Sequence, residues 1–185
     1  MFGGTFDPPH LGHVAAVTAA LASLRLDELV VTVAGDPQGK DAPVAPAAVR
    51  LEMARAAFAS IPGVVVSDLE VTRHGPTYTI DTIEALRAER PGDELVVVVG
   101  ADAAASLPAW HRASELAELV TIAVVPREDR GAAVPRGFVG CVVAMAPVDC
   151  SSTQVRAAIT GGADPASMVP PGVVPILLAH RLYSP

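Results

Sequence analysis

The sequence predicts an α/β protein: a single Rossmann-like, doubly wound parallel sheet flanked by helices. Three observations predict it. Short Val-rich runs alternate with amphipathic stretches along 185 residues. The runs are continuously apolar rather than alternating, as strands covered on both faces are. And the opening stretch "GGTFDPPHLGH" crowds glycine, proline and histidine ahead of a helix, as a ligand-binding loop on the rim of a parallel sheet does.

The elements follow in order. Only Met1 and Phe2 precede Gly3, so either the first strand is unusually short or residues upstream of it are absent from this sequence. A helix is expected over 11–24, with Val14, Val17, Leu21 and Leu24 on one stripe. Strands are expected at "LVVTVA" (29–34), "VVVS" (64–67), "LVVVVG" (95–100), "LVTIAVV" (119–125) and "FVGCVVAM" (138–145). Between and after them lie helices at 45–60, 79–89, 113–118, 153–160 and 173–182, the fourth stopped by Gly161-Gly162. Such alternation implies right-handed βαβ units. The segments "GDPQGKDAPVAP" and "PREDRGAAVPRG" read as loops. No repeat or linker divides the chain, so residues 1–185 read as one domain.

A formal net charge of −7 and a pI near 5.1 exclude a non-specific grip on nucleic acid, while leaving room for a phosphate ligand where positive charge gathers locally. Cys141 and Cys150 show no metal or redox spacing and read as reduced thiols. No apolar run reaches the length of a membrane span, and no charged-then-apolar leader is visible. A soluble, cytoplasmic protein without a membrane partner is expected.

In the opening stretch Gly3 and Gly4 lack Cβ atoms, so that their backbone could approach a phosphate or purine closely, and Thr5 adds a hydroxyl. Pro8 and Pro9 stiffen the entry to the helix. His10 and His13, three apart, share one face if both lie in the first turn, beside the positive end of the helix dipole. A metal pair is weakly supported at that spacing. Neither the Walker phosphate loop nor the spaced-glycine dinucleotide fingerprint occurs. In "CSSTQVRAAITGG", Ser151 or Ser152 is a suitable N-cap, and Arg156, read as lying in the first turn, could fork onto phosphate oxygens. Each feature has a plainer reading when taken singly: a solvated histidine pair, an ordinary cap with a solvated arginine, a turn-forming Asp102, a core Trp110, a packed Tyr78, an N-capping Thr79. His74, His111 and His180 read as surface or packing residues.

The combination resembles the HxGH nucleotidyltransferase superfamily, with "HLGH" as its core. Within it the chain is most similar to the bacterial nicotinate-nucleotide adenylyltransferase family. "GPTYTIDTIEAL", "VVGADAAASLPAW", "CSSTQVR" and the closing "LY" stand in that family's order, so the likeness spans nearly the whole chain. It implies adenylyl transfer from ATP to nicotinate mononucleotide, giving deamido-NAD and pyrophosphate. By the resemblance, His10, His13, Lys40 and Arg156 act on the phosphates. Gly3, Gly4, Thr5, Gly100, Asp102, Ser152 and Thr153 line the ATP site. Tyr78, Thr79, Trp110 and Arg127 face the nicotinate side. Mg²⁺ is expected through the ATP phosphates, with no protein metal cage. "GDPQGK" lacks the aromatic usual before the loop lysine, and "PREDR" replaces the family's "RPG". Phosphopantetheine or nicotinamide-mononucleotide adenylyl transfer is the alternative within the class, and a non-catalytic nucleotide-binding module the alternative outside it. Oligomeric state, a homo-oligomer included, stays open.

Overall fold

Phe2–Gly4 (β1), Leu29–Val33 (β2), Val64–Ser67 (β3), Val96–Gly100 (β4), Thr121–Val125 (β5) and Gly140–Val142 (β6) pair into one parallel sheet in the order β3-β2-β1-β4-β5-β6. This is a computed structural model, and it describes residues 1–37, 42–126, 131–146 and 148–184. The helices are Leu11–Leu24 (α1), Ala47–Phe58 (α2), Leu69–Thr72 (α3), Thr79–Glu89 (α4), Ala101–Ser106 (α5), Ala113–Leu119 (α6), Ser152–Thr160 (α7) and Val174–Ala179 (α8). The chain winds outward from β1 to β3, then returns to β4 beside β1. The order therefore reverses between β1 and β4, and the crevice beyond their carboxyl ends is where such sheets take ligands.

Both faces of the central strands are covered, which is why they read as unbroken apolar runs. Along β4, Val98 packs into a cluster with Val17, Val31 and Phe58, while Val97 and Val99 pack on the other face with Ile80, Ile83 and Leu116. Successive side chains of a strand point to opposite faces, so each valine serves one core or the other. β1 is short, three residues, and holds its place by parallel pairing to β2 and by Val98 N–H donating to the Met1 carbonyl at 2.9 Å.

Several boundaries differ from the sequence reading. The run expected as a strand from 119 begins at Thr121, because Leu119 completes α6. Of the run at 138–145 only Gly140–Val142 forms a strand, and all three residues are exposed. An edge strand has one neighbour and is not covered like the central ones. Gly140 is required there, since a Cβ would sit 2.0 Å from the Ile122 carbonyl oxygen. α2 starts two residues late and α8 is shorter than the expected 173–182, with Arg181 and Tyr183 turned into the left-handed region (φ 48° and 60°). α3 and α5, four and six residues long, carry too little periodicity to be seen in the sequence.

α3 buries one carboxyl. Glu70 is 4 % exposed and its Oε1 accepts from the Thr82 hydroxyl at 2.8 Å, which joins α3 to the first turn of α4. Burial pushes this carboxyl above the ordinary glutamate value, and the Thr82 bond opposes the shift only in part. The folded state thus binds the proton more tightly than the unfolded chain does. Ionised Glu70 costs stability once pH rises above the unfolded value, and the full cost is reached above the raised folded value. Glu70→Gln should therefore raise the thermal midpoint near and above neutrality, with the gain vanishing at acid pH. Midpoints measured across pH for both proteins check this, and a constant offset at every pH would count against it.

Candidate active site

The opening motif forms the loop from the end of β1 into α1. Its charge-bearing groups are placed by local chemistry first. His10 is the N-cap of α1, directly before the expected start at Leu11, with an extended backbone (φ −137°). Its amide donates to His13 Nδ1 at 3.1 Å, and the two imidazoles lie close together, tilted by 32°, with centroids 3.7 Å apart. With Nδ1 accepting, a neutral His13 carries its proton on Nε2. Phe6 backs His13 edge-on at 4.9 Å. Pro8 and Pro9 lie before the cap, outside the helix, and are buried.

Two glycines of the opening motif make room for aromatic rings. Phe6 has a left-handed backbone (φ 51°) that folds its ring over Gly4, where a Cβ would lie 2.8 Å from the ring. Gly12 lies under His10, and a Cβ there would meet the imidazole at 3.0 Å and the Cys150 carbonyl at 3.3 Å. Gly3, exposed, pairs with Thr32 in the sheet.

Three side chains from distant elements tie down the loop's carbonyls. Arg50 of α2 is 1 % exposed and donates to the carbonyls of Thr5 (2.8 Å), Ala34 (2.7 Å), Gly35 (3.2 Å) and Ala45 (3.0 Å). Arg156 of α7 donates to the Asp7 carbonyl at 2.8 Å, and Ser152 to the Pro8 carbonyl at 2.9 Å. Ser151 is the α7 N-cap, its hydroxyl accepting from the Gln154 amide at 3.2 Å. Arg156 is the fifth residue of that helix and so begins its second turn rather than lying in the first; its other arm reaches the Thr153 hydroxyl at 3.3 Å. The sequence reading left Arg50 and Asp7 out. Arg50 could have been found as a charged residue on the stripe shared by Ala54, Ala57 and Phe58, all buried.

Gly100, at the carboxyl end of β4, caps α5, and Asp102 stands exposed in that helix's first turn. Across the crevice Tyr78 caps α4 and Thr79 is its first residue. Trp110 closes a 3-10 turn over Leu107–Ala109, half-buried, its indole N–H donating to the Ser106 hydroxyl at 3.0 Å. His111, read as a surface or packing residue, stacks its ring on Tyr78 at 4.3 Å. Arg112, left-handed (φ 53°), forks onto Glu84 of α4 (2.6 and 3.2 Å) and Glu115 of α6 (2.7 and 2.9 Å), fixing the Trp110 turn against the helix that carries Tyr78. Lys40 and Arg127 lie outside the described residues. His180 sits remote from this crevice on α8's end, 3.5 Å from Glu52.

An imidazole pair at a helix N-terminus, with an arginine and hydroxyls from a second helix N-terminus beside it, offers hydrogen-bond donors to anionic oxygens. The comparisons with known proteins agree with that chemistry. The model of the family described as cytidylyltransferase-like matches residues 1–158. The chain belongs to the cytidylyltransferase-like family. Among its full-length relatives, the "Probable nicotinate-nucleotide adenylyltransferase" of Albidiferax ferrireducens is 38% identical over 99% of this chain and 96% of the relative. The protein of the same name from Pseudomonas syringae pv. tomato is 35% identical over 99% of this chain and 92% of its own. In fold, the family likeness extends to Plasmodium falciparum nicotinic acid mononucleotide adenylyltransferase complexed with NaAD, with a TM-score of 0.82 at 18% identity over 98% of this chain and 95% of that one.

Two substitutions test how the family's loop is held here. Arg50→Lys replaces a fork by a point donor that cannot reach four carbonyls, and should cost about 1–3 kcal/mol in a denaturant titration. Gly12→Ala should cost roughly 1–3 kcal/mol by overpacking and shift the His10 and His13 imidazole resonances while leaving His74 and His180 in place. Unmoved His10 and His13 resonances would refute the packing account.

Proposed function

We propose that residues 1–185 act as one nucleotidyltransferase domain that transfers the adenylyl group of ATP to nicotinate mononucleotide, forming deamido-NAD and pyrophosphate in NAD biosynthesis. The observation that carries this reading is the meeting of two motifs 144 residues apart: Ser152 and Arg156 of α7 bind the same loop that holds His10 and His13. The full-length relatives bear the name of that activity.

In this reading the acceptor's 5'-phosphate oxygen attacks the α-phosphorus of ATP in line. A bond forms from that oxygen to phosphorus, the bond from phosphorus to the α,β-bridging oxygen breaks, and pyrophosphate leaves with the electron pair. The nucleophile is already anionic, so no general base is needed, and catalysis is positioning plus charge stabilisation. His13 is assigned to the α-phosphate with His10 beside it. Arg156 and Lys40 are assigned to the outer phosphates, where Arg156 keeps guanidinium donors beyond its two internal bonds. The backbone of Gly3, Gly4 and Thr5, the carboxyl end of β4 at Gly100 and Asp102, and the hydroxyls of Ser152 and Thr153 border the nucleotide. Tyr78, Thr79, Trp110 and Arg127 are assigned to the acceptor. The amides at the start of α4 favour a carboxylate over a carboxamide.

Mg²⁺ is brought in with ATP as part of the substrate. Among the described residues no group of three or more His, Cys, Asp or Glu is placed to hold a metal, and the site's donors suit phosphate oxygens rather than a cation. No described helix is long and apolar enough to cross a membrane, and the two cysteines are unpaired; we assign the protein to the cytoplasm.

Pyrophosphate release with Mg-ATP and nicotinate or nicotinamide mononucleotide tests the reading. Release should be fast with the nicotinate acceptor, and His13→Ala should lower turnover roughly a hundredfold or more. ATP binding without release for either acceptor would refute it.

A further inference from the structure

Asp7 is part of the opening stretch, is 5 % exposed, and is used at every acceptor it has. Its Oδ2 accepts from the Val44 amide at 2.8 Å and its Oδ1 from the Ala45 amide at 3.0 Å, while its main-chain carbonyl takes Arg156. The remaining bond comes from far along the chain. The Tyr183 hydroxyl donates to Asp7 Oδ1 at 2.6 Å across 176 residues. Tyr183 is itself buried, with a left-handed backbone, and its carbonyl accepts from the Thr160 hydroxyl of α7 at 2.9 Å. One residue, through its carbonyl and its hydroxyl, thus links the last residue of α7 to the Asp7 carboxylate in the loop preceding His10.

We infer that Tyr183 is a positioning residue for the proposed transfer, fixing the Asp7 side chain and through it the geometry of the phosphate-binding loop and Arg156. This inference rests on the reading of the opening loop as an ATP site. Two physical points favour a role beyond filling space. A phenylalanine would fill the same volume, yet a hydroxyl is buried there and pointed at a carboxylate, where an unpaired hydroxyl would be costly. Burial also pushes the phenol well above its ordinary value, so it stays a neutral donor through the physiological range. With the bond gone, each Asp7 carboxylate oxygen keeps one amide, from Val44 and Ala45, and the side chain loses its link to α7 through Tyr183. The carbonyl that Arg156 grips and the cap residue three positions on then rest on a carboxylate held by two bonds in place of three.

Tyr183→Phe removes the bond and leaves the ring. It should speed exchange of the Val44 and Ala45 amides and weaken affinity for a non-hydrolysable ATP analogue, each by about tenfold, the scale of one hydrogen bond to a charged group. Turnover should fall with a raised KM for ATP and an unchanged KM for the mononucleotide. Thr160→Val, which loosens the seating of Tyr183 without touching Asp7, should show a smaller change of the same pattern and covers the case in which Tyr183→Phe fails to fold. If wild-type chain does not release pyrophosphate, the functional reading fails by itself, while analogue affinity and amide exchange still decide this one. Unchanged exchange and analogue affinity, or equal changes in both KM values in step with a lowered thermal midpoint, would overturn it.

Discussion

A buried guanidinium organises this protein. Arg50 has lost nearly all contact with water, and that loss is offset because its planar fork donates to four backbone carbonyls. Those carbonyls belong to the loop after β1, the end of β2 and the approach to α2. Burial disfavours the charge, and the nearby Asp7 carboxylate favours it. Remove the arginine and three segments lose their shared partner at once, which is why a lysine cannot stand in for it.

Around that centre, the rim is built from backbone acceptors turned inward and donors turned outward. The carbonyls of Thr5, Asp7 and Pro8 are consumed by Arg50, Arg156 and Ser152. The imidazoles of His10 and His13 and the N-termini of α1 and α7 lie along the same rim. In a chain with a net charge of −7, two guanidinium groups and two helix N-termini thus converge at one edge of the sheet. Two carboxylates have structural work beside it: Glu84 and Glu115 grip Arg112 and so hold the Trp110 turn against α4. Exposed ion pairs contribute little singly, but a bidentate arginine shared by two helices restricts geometry even where its net energy is small.

The reversal of strand order between β1 and β4 makes the two halves of the site meet. β1 delivers the histidine loop and β4 delivers Gly100 at neighbouring carboxyl ends, and the later crossover returns α7 across the first of them. A parallel sheet has every such end on the same side, so motifs far apart in the chain converge without special contacts to bring them there.

Much of this was legible in the sequence because it is governed by near neighbours. The periodicity over 11–24 and 79–89 set α1 and α4 to the residue, and unbroken valine runs marked strands buried on both faces. The residue types of the site, His10, His13, Ser152 and Arg156, were also visible, and the order of the motifs pointed to the family. What only the tertiary structure decided depends on contacts between distant positions. That Gly4 and Gly12 yield to aromatic rings, that His111 lies on Tyr78, and that Arg50 and Tyr183 reach the opening loop are all facts of this kind. Helix and strand periodicity is local and repeats within a few residues, whereas a hydrogen bond across 45 or 176 positions exists only once the sheet has set those segments side by side.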